Sequence, residues 1–413
     1  MKCRHCQHEL TLSFLDLGSA PPSNAYLTAE QLATPETWYP LHILVCEACW
    51  LVQTEDHAQR EQLFDADYAY FSSFSRSWLD HARRYVDDMI GRFGLTTAQR
   101  VVEVAANDGY LLQYVQAAGL PCYGIEPTAS TARAARDKGL TVVEDFFGRA
   151  LARRLADEGQ QANLMVANNV LAHVPDINDF VAGFPLLLTP DGVATFEFPH
   201  LLNLVQQNQF DTIYHEHYSY LSLTAVERIF QQHGLTVFDV ESLPTHGGSL
   251  RVFAQRTDTG QRTIEPAVAH WVNCEEQAGI RQPAFYAGLQ QRAEHIKHEL
   301  LAFLLNAKRQ GCKVAAYGAA AKGNTLLNFA GVRPDLLPYV VDLNPAKQGK
   351  FMPGSRIPIV AEQHLLDDQP DYVLLLPWNL RDELIQQLDA VRQWGSRFVV
   401  AIPALTVHGT EQA

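Results

Sequence analysis

The sequence predicts an α/β chain in three parts, and three observations carry that reading. Two Cys-x-x-Cys pairs, Cys3/Cys6 and Cys46/Cys49, stand near the start. Two separate stretches, 101–170 and 314–403, each run from an apolar strand through a glycine turn into a helix and on to further strands. A chain of 413 residues is too long for one ordinary core, so the expected division is 1–65, 66–280 and 281–413.

Composition is that of an ordinary globular protein, 47% hydrophobic and 19% charged. The formal net charge of −14 argues against a nucleic-acid partner or an anionic membrane surface. No apolar run approaches the roughly 20 residues that span a bilayer. The stretch Met1-Lys2-Cys3-Arg4-His5-Cys6 has no apolar signal core, which makes a cytoplasmic location the expectation. Seven cysteines, an odd number, make a disulfide framework unexpected. The oligomeric state stays open, and a monomer is compatible with the length.

Each Cys-x-x-Cys puts two thiolates on one tight turn, and two such turns supply the four soft ligands of tetrahedral zinc. A redox pair is the alternative, but two matched copies without a thioredoxin-like strand pattern weigh against it. With Cys3, Cys6, Cys46 and Cys49 filling every position, the zinc is structural. Residues 37–45 read as a strand running into the second pair. His5 and His8 are expected to be solvated.

The aromatic and hydroxyl-rich segment 67–77 leads into a helix over 78–93 and suits either a pocket wall or a packing segment. Val101-Val102-Glu103-Val104 is a buried strand, and Gly109 lets the turn after it approach a ligand beside a helix start at 111–118. The next strand ends at Glu126, the expected place of an acid that holds the two hydroxyls of a ribose. A third ends at Asp145, Phe146 and Phe147, suited to an adenine, and a fourth at Asn168 and Asn169.

No GxGxxG is present, which weakens a nicotinamide or flavin reading. Glu103-x4-Asp108-Gly109, then strand-Glu126, then Asp145-Phe146, instead resembles the S-adenosylmethionine site of class I methyltransferases, a Rossmann-like domain. The resemblance puts Asp108 and Gly109 at the amino-acid end, Glu126 at the ribose, and Asp145 with Phe146 at the adenine. Glu103, Asn107, Tyr110, Asn168 and Asn169 complete the expected cofactor set.

Beyond a fifth strand comes Tyr-His-Glu-His-Tyr-Ser-Tyr (214–220), two imidazoles, a carboxylate and three phenols in seven residues. A polar loop and a His-x-His metal site are both open readings; the third is proton transfer near neutral pH. A helix is expected from Thr224, capped through Glu227, followed by strands over 236–240 and 250–255. The loop therefore leaves the carboxyl edge of the sheet, where open α/β sheets bind ligands. His246 fits a pocket wall or a turn, and Arg251 a phosphate contact or a satisfied strand arginine.

A long helix over 282–309 links to the second α/β stretch. Gly318 to Thr325 is again a glycine turn opening a helix; Lys-Gly-Asn in place of Gly-Lys-Ser/Thr excludes a P-loop. Backbone amides and Lys322 suit a diphosphate. A strand ending at Asp342 and a basic loop reaching Lys350 follow, then strands over 371–376 and 397–402. The alternative is a duplicate Rossmann unit that only packs.

Together these features resemble the sugar C-methyltransferases that act on nucleotide-linked keto-deoxyhexoses, the dTDP-sugar C-3 methyltransferases among them. The resemblance spans nearly the whole chain: both Cys-x-x-Cys pairs, Tyr-Ala-Tyr-Phe-Ser-Ser (68–73), Asn-Asp-Gly-Tyr-Leu-Leu (107–112), Tyr-His-Glu-His (214–217), His-Gly-Gly-Ser-Leu-Arg (246–251) and Gly-Ala-Ala-Ala-Lys-Gly-Asn-Thr (318–325). It implies a zinc-bearing N-terminal domain, a central S-adenosylmethionine domain and a C-terminal domain for the nucleotide sugar. It also implies His217 as base, with Tyr214 and Glu216 around the reacting carbon and either Tyr68 or Tyr70 facing the sugar. His246, Tyr317, Lys322, Asn324, Asp342 and Lys350 form the expected substrate set. Two alternatives remain: an O- or N-methyltransferase on a small polar acceptor, and a non-enzymatic zinc and Rossmann interaction module.

Overall fold

In the computed structural model, which describes residues 1–57 and 71–409, the chain builds three sheets. The N-terminal part supplies β1 (Leu12–Ala20), β2 (Tyr39–Val45) and β3 (Val52–Thr54). The middle supplies β4 (Val101–Val104), β5 (Cys122–Ile125), β6 (Val142–Val143), β7 (Ala162–Asn168), β8 (Leu188–Pro199), β9 (Ser219–Tyr220), β10 (Leu235–Leu243) and β11 (Ser249–Arg256). The last part supplies β12 (Val314–Tyr317), β13 (Val340–Val341), β14 (Ile359–Val360), β15 (Tyr372–Leu375), β16 (Arg397–Val400) and β17 (Thr406–His408).

The central sheet runs β10-β11-β8-β7-β4-β5-β6. β4 through β8 are parallel, and β11 lies antiparallel between β8 and β10. This is a Rossmann-like sheet with one antiparallel strand, β11, inserted beside β8. β4 and β7 are buried along their lengths, as strands covered by helices on both faces must be. Chain order reverses beside β4, which makes its carboxyl end the switch point where such sheets open a crevice.

The C-terminal sheet, β14-β13-β12-β15-β16-β17, repeats the arrangement with its own switch point after β12. The N-terminal sheet is β1-β2-β3-β9, so its last strand comes from the middle of the chain. One apolar core joins β1 and β2, residues around 201–220, the helix Leu289–Arg309 and the C-terminal sheet. Residues that follow β5 and β7 of the central sheet and β12 and β15 of the C-terminal sheet line one common cavity.

Several local expectations change. The helix over 282–309 is two, Pro283–Tyr286 and Leu289–Arg309, separated at Gly288 with φ of +86°. The helix expected from Thr224 spans Leu223–Gln232 and is capped by Ser222, whose hydroxyl accepts from the Ala225 amide at 3.1 Å. Thr224 instead donates to buried Glu275 at 2.6 Å. Arg251 is a strand arginine whose two terminal nitrogens pair with Glu197 at 3.2 Å and Glu241 at 3.1 Å. His5 is buried and donates from Nδ1 to Asn178 at 2.8 Å, whereas His8 is exposed. No helix among the described residues is long and apolar enough to cross a membrane.

Candidate active site

The amide of His217 donates to the carbonyl of Tyr214 at 2.9 Å, closing residues 214–217 into one turn. The exit of the turn is held by both neighbours: the Thr54 amide donates to Tyr218 at 3.1 Å, and the Tyr218 amide to Ala172 at 2.8 Å. Its first and last residues, Tyr214 and His217, face a cavity of about 420 Å³. The middle two face the N-terminal part. His215 donates from Nε2 to the Pro40 carbonyl at 3.1 Å. The Glu216 carboxylate accepts from the Ser23 hydroxyl at 3.0 Å, the Asn24 amide at 3.1 Å and the Asn24 side chain at 3.2 Å. Glu216 is expected around the reacting carbon; its carboxylate is taken up by Ser23 and Asn24 instead.

Thr212 orients the ring. Its carbonyl lies 2.8 Å from Nδ1 of His217 and can only accept, so Nδ1 carries the proton and Nε2 is bare. The Tyr214 hydroxyl, 2.9 Å away, then donates to Nε2. Burial pushes the His217 pKa well below the ordinary histidine value, helped by the positive charge of Lys322. His173, its ring centroid 4.5 Å from that of His217, donates from Nδ1 to the Glu216 carbonyl and is pushed down to about 4 by burial. Burial and Lys322 do the same to His246, also to about 4. Three neutral imidazoles therefore line one wall.

The opposite wall is the carboxyl edge of the central sheet. Glu126, buried, accepts from the amides of Asn107 and Thr128, each at 2.9 Å. Asn107, Tyr110, Phe146, Asn168 and Asn169 line the same cavity. Four non-glycine lining residues hold left-handed backbones: Ala105 (φ 59°), Asn107 (48°), Asn169 (53°) and His246 (54°). Each costs on the order of 1 kcal/mol or more, a strain concentrated where ligands bind.

Other predicted residues are close by but not in the cavity wall. Asp108 turns to the Ser73 amide (3.3 Å) and Lys138 (3.4 Å). Gly109 holds φ +77°, a backbone conformation that favours glycine, and a Cβ there would stand 2.2 Å from the Leu140 side chain. Glu103 is buried under the turn, where desolvation raises its pKa well above the usual range. Asp145 is exposed and accepts from the amide of Phe146 at 2.8 Å. Tyr68 and Tyr70 lie outside the described residues.

From the C-terminal part, Lys322 enters the cavity at the start of the helix Ala321–Ala330. It donates to Asn379 at 3.0 Å, sits 4.7 Å from the centre of the Trp378 ring, and is pushed down to about 8 by burial. Behind it, fully buried Asp211 accepts from the Trp378 indole at 2.7 Å. The other expected substrate residues are engaged elsewhere. Tyr317 accepts from Gln387 at 2.7 Å, Asn324 from Asn328 at 3.1 Å, and Asp342 from the Ala319 amide at 2.8 Å. Lys350 is partly exposed and outside the wall, while Lys347 of the same basic loop lines it. Lys347, Asn379, His173 and Asn24 are cavity residues that the sequence reading did not single out.

Comparison with known proteins places this geometry. The chain is 35% identical over 410 residues to the C-methyltransferase NovU of Streptomyces niveus, covering 99% of this chain and 97% of that protein. The chain belongs to the C-methyltransferase family. Family models match in three consecutive pieces: a zinc-binding domain at residues 3–64, a methyltransferase domain at 78–240, and a C-methyltransferase C-terminal domain at 244–403. Among solved structures, magnesium protoporphyrin IX methyltransferase of Synechocystis PCC 6803 with bound S-adenosylmethionine is 14% identical, with a TM-score of 0.36, over 49% of this chain and 100% of that one. The 1,6-didemethyltoxoflavin-N1-methyltransferase of Burkholderia thailandensis is 17% identical, with a TM-score of 0.35, over 50% of this chain and 96% of that one.

The protein is thus an S-adenosylmethionine-dependent C-methyltransferase acting on a small molecule, which sets aside the O-, N- and non-enzymatic alternatives. The chain fits its cofactor. Asn168 Oδ1 and the whole Asn169 amide are buried at the cavity without a hydrogen-bond partner among the described residues, an arrangement that polar ligand atoms resolve. This methyltransferase also carries the zinc site. The sulfurs of Cys3, Cys6, Cys46 and Cys49 all lie within 4.8 Å of one another. Both knuckles end on a left-handed residue, Gln7 (φ 62°) and Trp50 (φ 64°), and all four positions are cysteine, so the metal is structural.

Proposed function

We propose that this C-methyltransferase alkylates a nucleotide-linked 4-keto-deoxysugar at the carbon next to the ketone, through an enolate. The observation that carries the reading is that His217, with its bare Nε2, shares one cavity with Glu126 of the central sheet and Lys322 of the C-terminal sheet. A second nucleotide-type crevice facing the first has a use if the acceptor itself carries a nucleotide.

In this reading Glu126 accepts the cofactor's ribose hydroxyls, Phe146 packs its adenine, and Asn107, Tyr110, Asn168 and Asn169 meet the rest. Bound S-adenosylmethionine supplies an electrophilic methyl on a sulfonium. Lys322 and Lys347 neutralise the acceptor's diphosphate. The 4-keto group acidifies the neighbouring C–H, and His217 Nε2 takes that proton. Doing so requires the acceptor to displace the Tyr214 hydroxyl from Nε2, which frees the phenol to donate to the developing enolate oxygen. Thr212 stays bonded to Nδ1–H and steadies the imidazolium. Base assistance of this kind is worth about 10²–10⁴-fold, and an oxyanion donor in a dry site a comparable factor. Glu103, Asp108 and Gly109 act from beneath, by holding the turn that carries Asn107 and Tyr110. We retain the division at 65/66 and 280/281 as part of this proposal.

The test is a panel of nucleotide-linked 4-keto sugars with labelled methyl donor. Label in a C–C bond beside the ketone, and solvent exchange of that sugar hydrogen with no donor present, are expected. Transfer to oxygen or nitrogen, or label going only to acceptors without a nucleotide, rejects the reading.

A further inference from the structure

We infer that Asn24, delivered by the zinc-bearing part and held by Glu216, is an acceptor-positioning residue whose Oδ1 accepts a hydrogen bond from a hydroxyl of the sugar ring. The inference rests on the proposed acceptor class and adds a residue from the N-terminal part to its site.

The turn Pro21-Pro22-Ser23-Asn24 is tied on both sides. The Tyr26 hydroxyl donates to the Ala319 carbonyl of the C-terminal part at 2.6 Å, and Ser23 and Asn24 bind the Glu216 carboxylate of the central part. Asn24 spends its backbone amide and its side-chain Nδ2 on Glu216, at 3.1 and 3.2 Å. Because Nδ2 is the atom turned to the carboxylate, the other end of the amide, Oδ1, is left with no partner among the described residues, and Asn24 lines the cavity. Its position is also telling. Glu216 precedes His217 in the chain, and Tyr26, two residues beyond Asn24, shares the Ala319 carbonyl with Lys347, which lines the same cavity as Asn24. A group between the base and a lysine assigned to the diphosphate meets the sugar ring, not the nucleotide.

This gives the Glu216 carboxylate a role that is not acid–base chemistry. It is buried, it accepts from three donor groups of Ser23 and Asn24, and it fixes which way the Asn24 amide points. Glutamine at 216 would place an N–H against those donors and let Asn24 turn.

A double-mutant cycle on the full-length, zinc-loaded enzyme tests this with Asn24→Ala, Glu216→Gln and the pair. Each single change is expected to raise the acceptor KM about tenfold, the scale of one lost hydrogen bond in a dehydrated site. The pair should do no worse than Glu216→Gln alone, with S-adenosylmethionine affinity and the pH profile of kcat unchanged. Multiplicative effects in the pair, or an acid limb of kcat that moves in Glu216→Gln, overturn the inference by making Glu216 act through His217. Should Glu216→Gln not fold, Asn24→Ala decides alone, since it keeps the backbone bond to Glu216: an unchanged acceptor KM sinks the idea. A wild-type enzyme that turns over no nucleotide-linked keto sugar overturns the acceptor class together with this inference; turnover with a silent Asn24→Ala overturns this inference only.

Discussion

The Tyr214 hydroxyl donates to Nε2 of His217 across 2.9 Å, with the two ring centroids 4.0 Å apart. The phenol thus occupies the one lone pair on the imidazole that is free to take a proton. Base and oxyanion donor are stored against each other, and the acceptor separates them. His217→Asn should lower kcat by about 10²–10⁴-fold while the affinity for S-adenosylmethionine is kept, as isothermal titration and labelled-methyl turnover can measure. Near-normal turnover removes His217 as base. Tyr214→Phe should retain more activity, because the base remains.

The pH profile carries a signed expectation. His217 works as base only when neutral, and its pKa is held well below 6.5 by burial and by the positive charge of Lys322. At saturating acceptor, kcat should therefore stay level as pH falls from 8 through 6.5 and decline only further down. An acid limb of kcat centred at or above 6.5 contradicts this environment.

Lys322 is assigned to the acceptor alone. Lys322→Ala should raise the acceptor KM roughly 10–100-fold, the scale of charge-assisted hydrogen bonds, and leave the Kd of S-adenosylmethionine unchanged. Equal weakening of both ligands, or of neither, rejects the assignment.

Asp211 gives a stability test. Burial raises its pKa to about 7, above the roughly 3.9 of an unfolded aspartate. The folded state therefore binds the extra proton between those values, so this stability is complete below about pH 4 and lost as pH rises through about 7. Asp211→Asn keeps an acceptor for the Trp378 indole and has no such loss. Relative to wild type it should gain on the order of 1–3 kcal/mol between pH 5 and pH 8, read from denaturant unfolding at each pH. A constant difference between the two proteins means Asp211 is ionised throughout.

Zinc removal should act on catalysis through the fold. The cluster anchors the turn between β2 and β3, β3 pairs with β9, and β9 directly follows the Tyr214–His217 turn. Cys46→Ser, or chelation, is expected to cut zinc from one ion per chain, lower the melting temperature and abolish methyl transfer, with S-adenosylmethionine binding kept. Full activity in zinc-free protein breaks that chain of support.

Features whose cause is local were legible in the sequence. Two Cys-x-x-Cys turns define a metal site by spacing, because the ligands of each pair sit on one turn. Buried parallel strands announce themselves as apolar runs, and a strand-ending acid such as Glu126 is placed by the strand it ends. The resemblance set Tyr214 and His217 in one loop, and the turn and hydrogen bond that join them came from the structure. What only the tertiary structure decided was which partner each polar side chain takes. Glu216 lies beside His217 in the chain yet bonds Ser23 and Asn24, 193 and 192 residues away. Gly109 has the Leu140 side chain packed against it, and Lys347 lines the cavity where Lys350 does not. A buried carboxylate must be satisfied by whatever donors packing brings to it. That outcome depends on distant segments meeting, and no sequence window contains it.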